Sequence, residues 1–353
     1  METFAVIMAG GSGTRFWPAS RRHLPKQYLP IGEPRSLVAQ TLSRLEGLVP
    51  LERTLVVSAH TQRDALTEAL PELPRENMLL EPSARNTAAC VAWAALEIAR
   101  RSPDSLQIVL PADHVIRPVA KFRASLRAGL DEAKQSRALI TFGVRPTRAT
   151  TGYGYIELGE ALADRAGHGV FAVHRFVEKP NETRAKEFLA GGGFLWNAGI
   201  FAWRTDSILG ALERHAPNVI RPLVGLPVGQ ELERIYAGLP KLSIDVAVME
   251  HEALVRTLPI DYFWSDVGAW TAMEDVLAPD SNGNRVTGGT LVEALQASNN
   301  IVYGEAGQLV ALLGVENLVV VRSGNALLVT TREHADQVRA LVERMTNDSS
   351  PFV

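Results

Sequence analysis

The first 143 residues alternate short apolar runs with amphipathic stretches of helical period, and this restricts the chain to a few architectures. The runs are Phe4 to Ala9, Thr54 to Ser58, Met78 to Leu80, Leu106 to Leu110 and Leu139 to Gly143. Between them, helices are predicted over about Ser36 to Gly47, Gln62 to Leu70 and Thr87 to Arg101. Runs this uniformly apolar belong to strands covered on both faces. The pattern therefore predicts an α/β fold with a Rossmann-like, mixed but mostly parallel sheet. After Gly143 it loosens into hairpin-like segments at Gly152 to Leu158 and Gly169 to Glu178, which fits an insertion that covers a substrate.

Pro279 to Asn284 is a loop signal, Pro-Asp-Ser-Asn-Gly-Asn, and it divides the chain into a large domain over 1–280 and a small β domain over 281–353. Val286 to Val292, Asn300 to Tyr303, Leu309 to Leu313, Leu318 to Val321 and Ala326 to Thr330 read as its strands, and a helix from about Arg332 to Met345 closes it. The spacing fits a short β-helix or a meander. Its apolar strands suit dimerisation better than chemistry, so catalysis is expected not to depend on this domain.

A net charge of −3 with scattered basic residues gives no field that would gather nucleic acid or an anionic membrane surface. The single cysteine, Cys90, sits in an apolar stretch and reads as a buried thiol in a reducing compartment. Phe4 to Ala9 is too short for a secretory core, and no run reaches membrane-spanning length. A soluble, cytoplasmic protein is expected.

The strongest chemical signal follows the first strand: Gly10-Gly11-Ser12-Gly13-Thr14-Arg15, then Phe16-Trp-Pro18 and Pro25-Lys26-Gln27. Glycines let backbone N–H groups close around phosphate oxygens, and Arg15 and Lys26 add positive charge. A tight strand-to-helix turn would use the same glycines; the two cations favour an anion site. Gly-Lys-Ser/Thr is missing, and Phe16 occupies the last glycine of a dinucleotide fingerprint, so the common kinase, GTPase and dehydrogenase loops do not match.

This segment resembles the signature of the sugar-nucleotide pyrophosphorylases, a family of sugar-phosphate nucleotidyltransferases. Further matches run in the family's order almost end to end. They are Glu81 to Thr87, Pro111 to His114, Thr151 to Ile156, Phe176 to Pro180, Leu195 to Gly199, Ser243 to Ala247 and Trp264 to Gly268. The Arg-Phe-Trp-Pro and Pro-Lys-Gln variants, with the final β domain, are most similar to the branch that joins GTP and mannose 1-phosphate into GDP-mannose and pyrophosphate. The resemblance also implies a short left-handed β-helix and a homodimer.

It implies roles for residues. Asp113, just beyond an apolar strand, and Asp266 match the Mg²⁺ ligands; for an arbitrary aspartate a loop or cap carboxylate is the ordinary alternative. Arg15, Lys26 and Lys179 match the catalytic cations. Gly10 to Arg15 with Glu81, Arg85 and Asn86 correspond to nucleotide binding. Gly152, Tyr153, Gly154, Glu178, Lys179, Asn197 and Asp245 correspond to sugar-phosphate binding. Glu178-Lys179 could instead be a surface pair, Asn197 a turn residue, and Asp245 a cap on a helix through Met249 to Leu254. His114 reads as structural, because a two-residue cluster lacks a zinc ligand set.

The chemistry needs no protein nucleophile. A sugar phosphate is already largely dianionic near neutral pH, its second pKa being roughly 6, so orientation and charge neutralisation carry the reaction. Glucose 1-phosphate or another nucleotide remains an alternative substrate. A non-catalytic sensor would normally lose Arg15, Lys26 or an aspartate, and a nicotinamide oxidoreductase lacks its fingerprint. Nothing after the closing helix resembles the isomerase domain of longer relatives, so one activity is expected.

Overall fold

The computed structural model describes every residue except Ser12, Leu226, Ser349, Pro351 and Val353. The apolar runs become β1 (Glu2–Met8), β2 (Thr54–Ala59), β3 (Met78–Glu81) and β4 (Ser105–Pro111), which pair in parallel in the order β3-β2-β1-β4. Consecutive residues of β1 enter opposite cores: Phe4 and Val6 join one cluster, Ala5 and Ile7 the other. Such two-sided burial explains why the strand is apolar throughout rather than alternating. Helix Asn86–Arg101 covers the first face and contributes an unbroken buried run from Ala88 to Ala95, including Cys90.

Beyond a short β5 (Val115–Arg117), β6 (Leu139–Val144) continues the sheet. The hairpin β7 (Tyr155–Arg165) and β8 (His168–Val177) forms its far edge. A long strand, β9 (Phe194–Arg204), inserts between β4 and β6, antiparallel to both. β10 (Val255–Ile260) pairs in parallel with β6, and β11 (Phe263–Ser265) returns to pair with β5. The nine-stranded sheet is thus parallel in its first half and mixed in its second. The loops after β1, β3 and β4 and the β11 arm gather at the carboxyl ends of the parallel strands, where open α/β sheets bind ligands.

The C-terminal part is a coil of short parallel strands. β12 (Arg285–Thr287), β14 (Ile301–Tyr303) and β16 (Leu318–Ser323) form one ladder, and β13 (Leu291–Leu295) and β15 (Leu309–Leu313) another. β17 (Ala326–Thr331) closes it antiparallel to β16. The expected strand Val286 to Val292 is two strands, separated by a corner at Gly288-Gly289. Two buried asparagines stack through the turns. Asn284 Oδ1 accepts from the backbone N and Nδ2 of Asn300, both at 3.0 Å, and Asn300 Oδ1 accepts from Leu318 N at 2.9 Å. Each amide satisfies backbone groups that a turning chain leaves unpaired.

The coil is joined to the large domain by a shared core. Phe16 and Trp17 pack with Trp270, Ile301, Tyr303, Val338 and Val342, and the Trp270 ring lies 4.7 Å from Phe16 and 5.2 Å from Tyr303. The closing helix, Val338–Asn347, therefore rests against the glycine-rich loop, closer to the chemistry than the sequence led us to expect. Among the described residues, no helix is long and apolar enough to cross a membrane.

Candidate active site

The loop after β1 is held open by its own residues. Gly13 has φ +56°, and a Cβ there would stand 2.5 Å from Lys26 N, so only glycine fits. Beneath it, Gln27 Nε2 donates to Ala9 O at 2.6 Å and Gln62 Nε2 donates to Gly11 O at 3.2 Å. Gln27 and Gln62 are themselves bonded at 3.1 Å and buried. The glutamine of Pro-Lys-Gln is thus a brace for the loop. Gln62 carries no sequence signal that would have found it. Gly10 and Gly11 face the cavity that also holds Glu81, whereas Thr14 and Arg15 face a second cavity. Arg15 is exposed and makes no ion pair among the described residues. Ser12 lies outside the described residues.

Lys26 is buried, and its ammonium is fully engaged: Nζ lies 2.7 Å from Asp113 Oδ2, 2.7 Å from Asp266 O and 2.9 Å from Val267 O. It ties the turn packed against Gly13 to both aspartate segments. Burial alone would raise the Asp113 pKa, but Lys26 and His114 hold it below the usual carboxylate value. Asp266 Oδ1 accepts from Tyr153 Oη at 2.7 Å, and burial with that carboxylate pushes the phenol pKa up. Tyr153 is wedged edge-on against Trp196 and Trp264. His114 Nδ1 accepts from Trp264 Nε1 at 3.2 Å, and burial lowers its pKa, in keeping with a structural role.

Among the described residues of the site, the non-glycine residues Asn86 (φ +66°), Lys179 (φ +45°) and Val267 (φ +48°) adopt left-handed backbone. For a β-branched valine this conformation is costly, and such strain persists where surrounding structure enforces it. Here Lys26 grips the Val267 carbonyl.

The opposite wall comes from β7, β8 and β9. Glu178 follows β8, with Lys179 paired to its carboxylate and largely exposed. A Cβ on Gly154 would lie 2.6 Å from Glu178 Oε2, so the small residue lets the hairpin approach this carboxylate. Asn197 Nδ2 donates to Asp245 Oδ1 at 2.8 Å, while Asn197 Oδ1 accepts from Thr141 Oγ1 at 3.0 Å and Gly199 N at 3.1 Å. The segment Asp245–Met249 is a single π-helical turn opening with Asp245, so no helix runs on through Leu254 for this residue to cap. Burial and the Glu178 charge raise the Asp245 pKa to about 7.

The third wall is Glu81 to Thr87. Glu81 is buried, and desolvation raises its pKa to about 8. Its Oε1 has no hydrogen-bond partner among the described residues. Arg85 lines the same cavity, with its guanidinium tied to a neighbouring helix: Nε donates to Tyr236 O at 2.5 Å and a second guanidinium nitrogen to Ala237 O, a cation at that helix's carboxyl end. Asn86 opens helix Asn86–Arg101, whose positive end borders the cavity. Lys241 also lines this cavity, a residue the sequence reading passed over because Lys-Leu-Ser carries no strand-end or turn signal.

These walls enclose two cavities. One, about 600 Å³, holds Gly10, Gly11, Glu81, Gly152 to Gly154, Glu178, Lys179, Asn197 and Asp245. The other, about 620 Å³, holds Gly13, Thr14, Arg15 and Lys26. Both include Asp113, His114 and Asp266. Two carboxylates, with no group of three or more His, Cys, Asp or Glu able to hold a metal ion among the described residues, fit a hard cation completed by phosphate oxygens and water, rather than a closed zinc site.

Fold and site together define a class: an α/β protein whose glycine-rich loop and carboxylate-lined cavities meet at Asp113 and Asp266. Known proteins share the plan. The nucleotidyl transferase family matches residues 4–282, and the MannoseP isomerase/GMP-like beta-helix domain matches residues 291–345. A mannose-1-phosphate guanylyltransferase of Klebsiella pneumoniae is 37% identical over 353 residues, covering 96% of this chain and 73% of the relative. The alginate biosynthesis protein AlgA of Pseudomonas aeruginosa is 37% identical, covering 96% and 71%. A crystal structure from Thermus thermophilus, titled mannose-1-phosphate geranyltransferase, aligns with TM-score 0.89 at 38% identity, covering 98% of this chain and all of that one. The chain belongs to the nucleotidyl transferase family, and it is a sugar-phosphate nucleotidyltransferase.

Proposed function

We propose that the protein transfers GMP from GTP to α-D-mannose 1-phosphate, releasing GDP-mannose and pyrophosphate, with Mg²⁺ held by Asp113 and Asp266. The observation that carries the reaction type is the meeting of two cavities at these aspartates, one lined by the phosphate loop and the other by sugar-facing carboxylates, Asn197 and Lys179. The choice of GTP and mannose 1-phosphate is supported by the names of the relatives.

In this reading a sugar-phosphate oxygen attacks the α-phosphorus, the new P–O bond forms as the α,β-bridging bond breaks, and pyrophosphate departs with the electron pair. The attacking dianion needs no base. When bound, the metal supplies charge neutralisation at the phosphate oxygens. Backbone N–H groups of the glycine loop and Arg15 orient the triphosphate. Lys179 reaches the sugar phosphate by leaving Glu178, and Glu178, Asn197 and Asp245 accept sugar hydroxyls. Glu81 accepts from the guanine amide edge.

Localisation in the cytoplasm and a homodimer complete the reading. Leu291, Leu295, Leu309 and Leu313 form an outward apolar ladder across β13 and β15, at 67%, 65%, 54% and 69% exposure. A second copy of the same face would cover it.

The test is pyrophosphate release across GTP, ATP, UTP, CTP and dTTP against mannose 1-phosphate and glucose 1-phosphate, with Mg²⁺. GTP with mannose 1-phosphate should dominate. Another dominant pair would retain the mechanism and replace the substrates. Silence from folded protein would overturn the reading.

A further inference from the structure

An in-line displacement puts attacker and leaving group on opposite sides of the α-phosphorus. The sugar-facing groups and the nucleoside-facing Glu81 all lie in one cavity. The second cavity shares Asp113 and Asp266 with the first but holds none of the sugar-facing groups, so if the nucleotidyl-transfer reading is right it is where the leaving group goes. Its near wall is the phosphate loop. Its far wall is not part of the large domain: Arg339, Val342, Glu343, Thr346 and Asn347 of the closing helix line it.

We infer that this helix builds a pyrophosphate compartment with the phosphate loop, and that Arg339 is a ligand for the departing phosphates. Val338 and Val342 bury into the core that contains Phe16 and Trp270, which fixes the helix against the loop. Arg339 therefore lines the same cavity as Arg15 from a helix whose backbone is held in place. Its present partner is weak: Nε lies 2.8 Å from Glu343 Oε1 one helical turn on, with both side chains about 60% exposed. An exposed pair of this kind contributes little, so exchanging the carboxylate for a phosphate is favourable, and a guanidinium can meet two phosphate oxygens with parallel bonds. Glu343 holds Arg339 while repelling the polyanion, so it competes for the guanidinium and favours release.

The test has two arms. In the first, inorganic pyrophosphate with Mg²⁺ is titrated calorimetrically into the full chain. Arg339→Ala should weaken binding about tenfold, the scale of a lost charge-assisted hydrogen bond at an exposed site. Arg339→Lys should restore part of it, and Glu343→Gln should tighten it. Arg344→Ala, the same charge change at an exposed position on the same helix that does not line the cavity, is the control. In the second, steady-state kinetics should show the KM of GTP, and of pyrophosphate in reverse, rising in Arg339→Ala, with the KM values of mannose 1-phosphate and GDP-mannose within about twofold. Unchanged pyrophosphate affinity in Arg339→Ala, or an equal loss in Arg344→Ala, overturns the inference while leaving the reaction assigned. A wild-type chain that turns over no nucleotide sugar with pyrophosphate overturns the underlying reading, and the inference with it.

Discussion

Lys26 Nζ lies 2.7 Å from Asp113 Oδ2, and this ion pair joins the turn packed against Gly13 of the glycine loop to the segment following β4. The same ammonium donates to the carbonyls of Asp266 and Val267, so one side chain holds together the three segments that meet between the two cavities.

Lys26 and Arg15 should therefore fail differently. Lys26→Met leaves two carbonyls and a carboxylate without their donor, and should destabilise the fold by about 2–4 kcal/mol while abolishing turnover. Arg15→Ala removes an exposed cation and should cost turnover with stability changed by about 0.5 kcal/mol or less. Urea unfolding alongside kcat/KM separates the two; comparable stability losses would contradict the tie assigned to Lys26.

Glu81 supplies a test of base recognition. With its pKa at about 8 it is mostly protonated at pH 7, yet the N1–H and 2-amino donors of guanine favour the ionised form. GTP binding should consequently expel up to about one proton near neutral pH, measurable by calorimetry in buffers of different ionisation enthalpy. ATP, lacking that pair of donors, should expel fewer, and Glu81→Gln should erase the difference. Equal proton counts for both nucleotides in the wild type would remove Glu81 from base recognition.

The strands β1 to β4 were legible because a strand buried on both faces has one chemical character along its length, as Phe4 to Ala9 shows. β9 was not, since Asn197 and Gly199 interrupt its apolar run just where it lines the cavity. The coil hid its repeat for a geometric reason: Leu291 pairs with Leu309 and Ile301 with Val319, but Arg285 reaches Ile301 after a shorter turn. At the site, sequence pointed to Lys26 as a cation, but its partners come from β4 and the β11 loop, so its role as a tie required the fold. Arg85 sits in a nucleotide motif, yet it commits its guanidinium to the Tyr236 and Ala237 carbonyls. The closing helix was legible as a helix, but its place against the glycine loop was not, because nothing local to Arg339 links it to a loop at the other end of the chain.

The leucine ladder on β13 and β15 predicts a dimer that charge should split. Leu295→Glu with Leu313→Glu places like charges on paired positions of the exposed face, where they would also repel the second copy. Sedimentation should show the wild type as a dimer and the double variant as a monomer with unfolding midpoint little changed. A monomeric wild type would show that the ladder has no self-partner.

Asp245 gives the pH dependence its sign. Its folded pKa of about 7 exceeds the ordinary 3.8, so the native state holds this proton more tightly than the unfolded chain. The associated stability is fully present below about pH 4 and is lost as pH rises to about 7. Asp245→Asn lacks the titration, so its stability relative to wild type should improve by about 1–2 kcal/mol between pH 4 and pH 8, each tenfold change in proton affinity being worth about 1.4 kcal/mol and the site being partly wet. Function should run the other way. An ionised Asp245 accepts two hydroxyl hydrogen bonds, so the mannose 1-phosphate KM should fall as pH passes 7 in the wild type and stay flatter in the variant. The sugar phosphate's own ionisation near pH 6 affects both proteins alike and cancels in their ratio. A KM ratio that does not move between pH 6 and pH 8 would show that Asp245 shapes the wall without meeting the sugar.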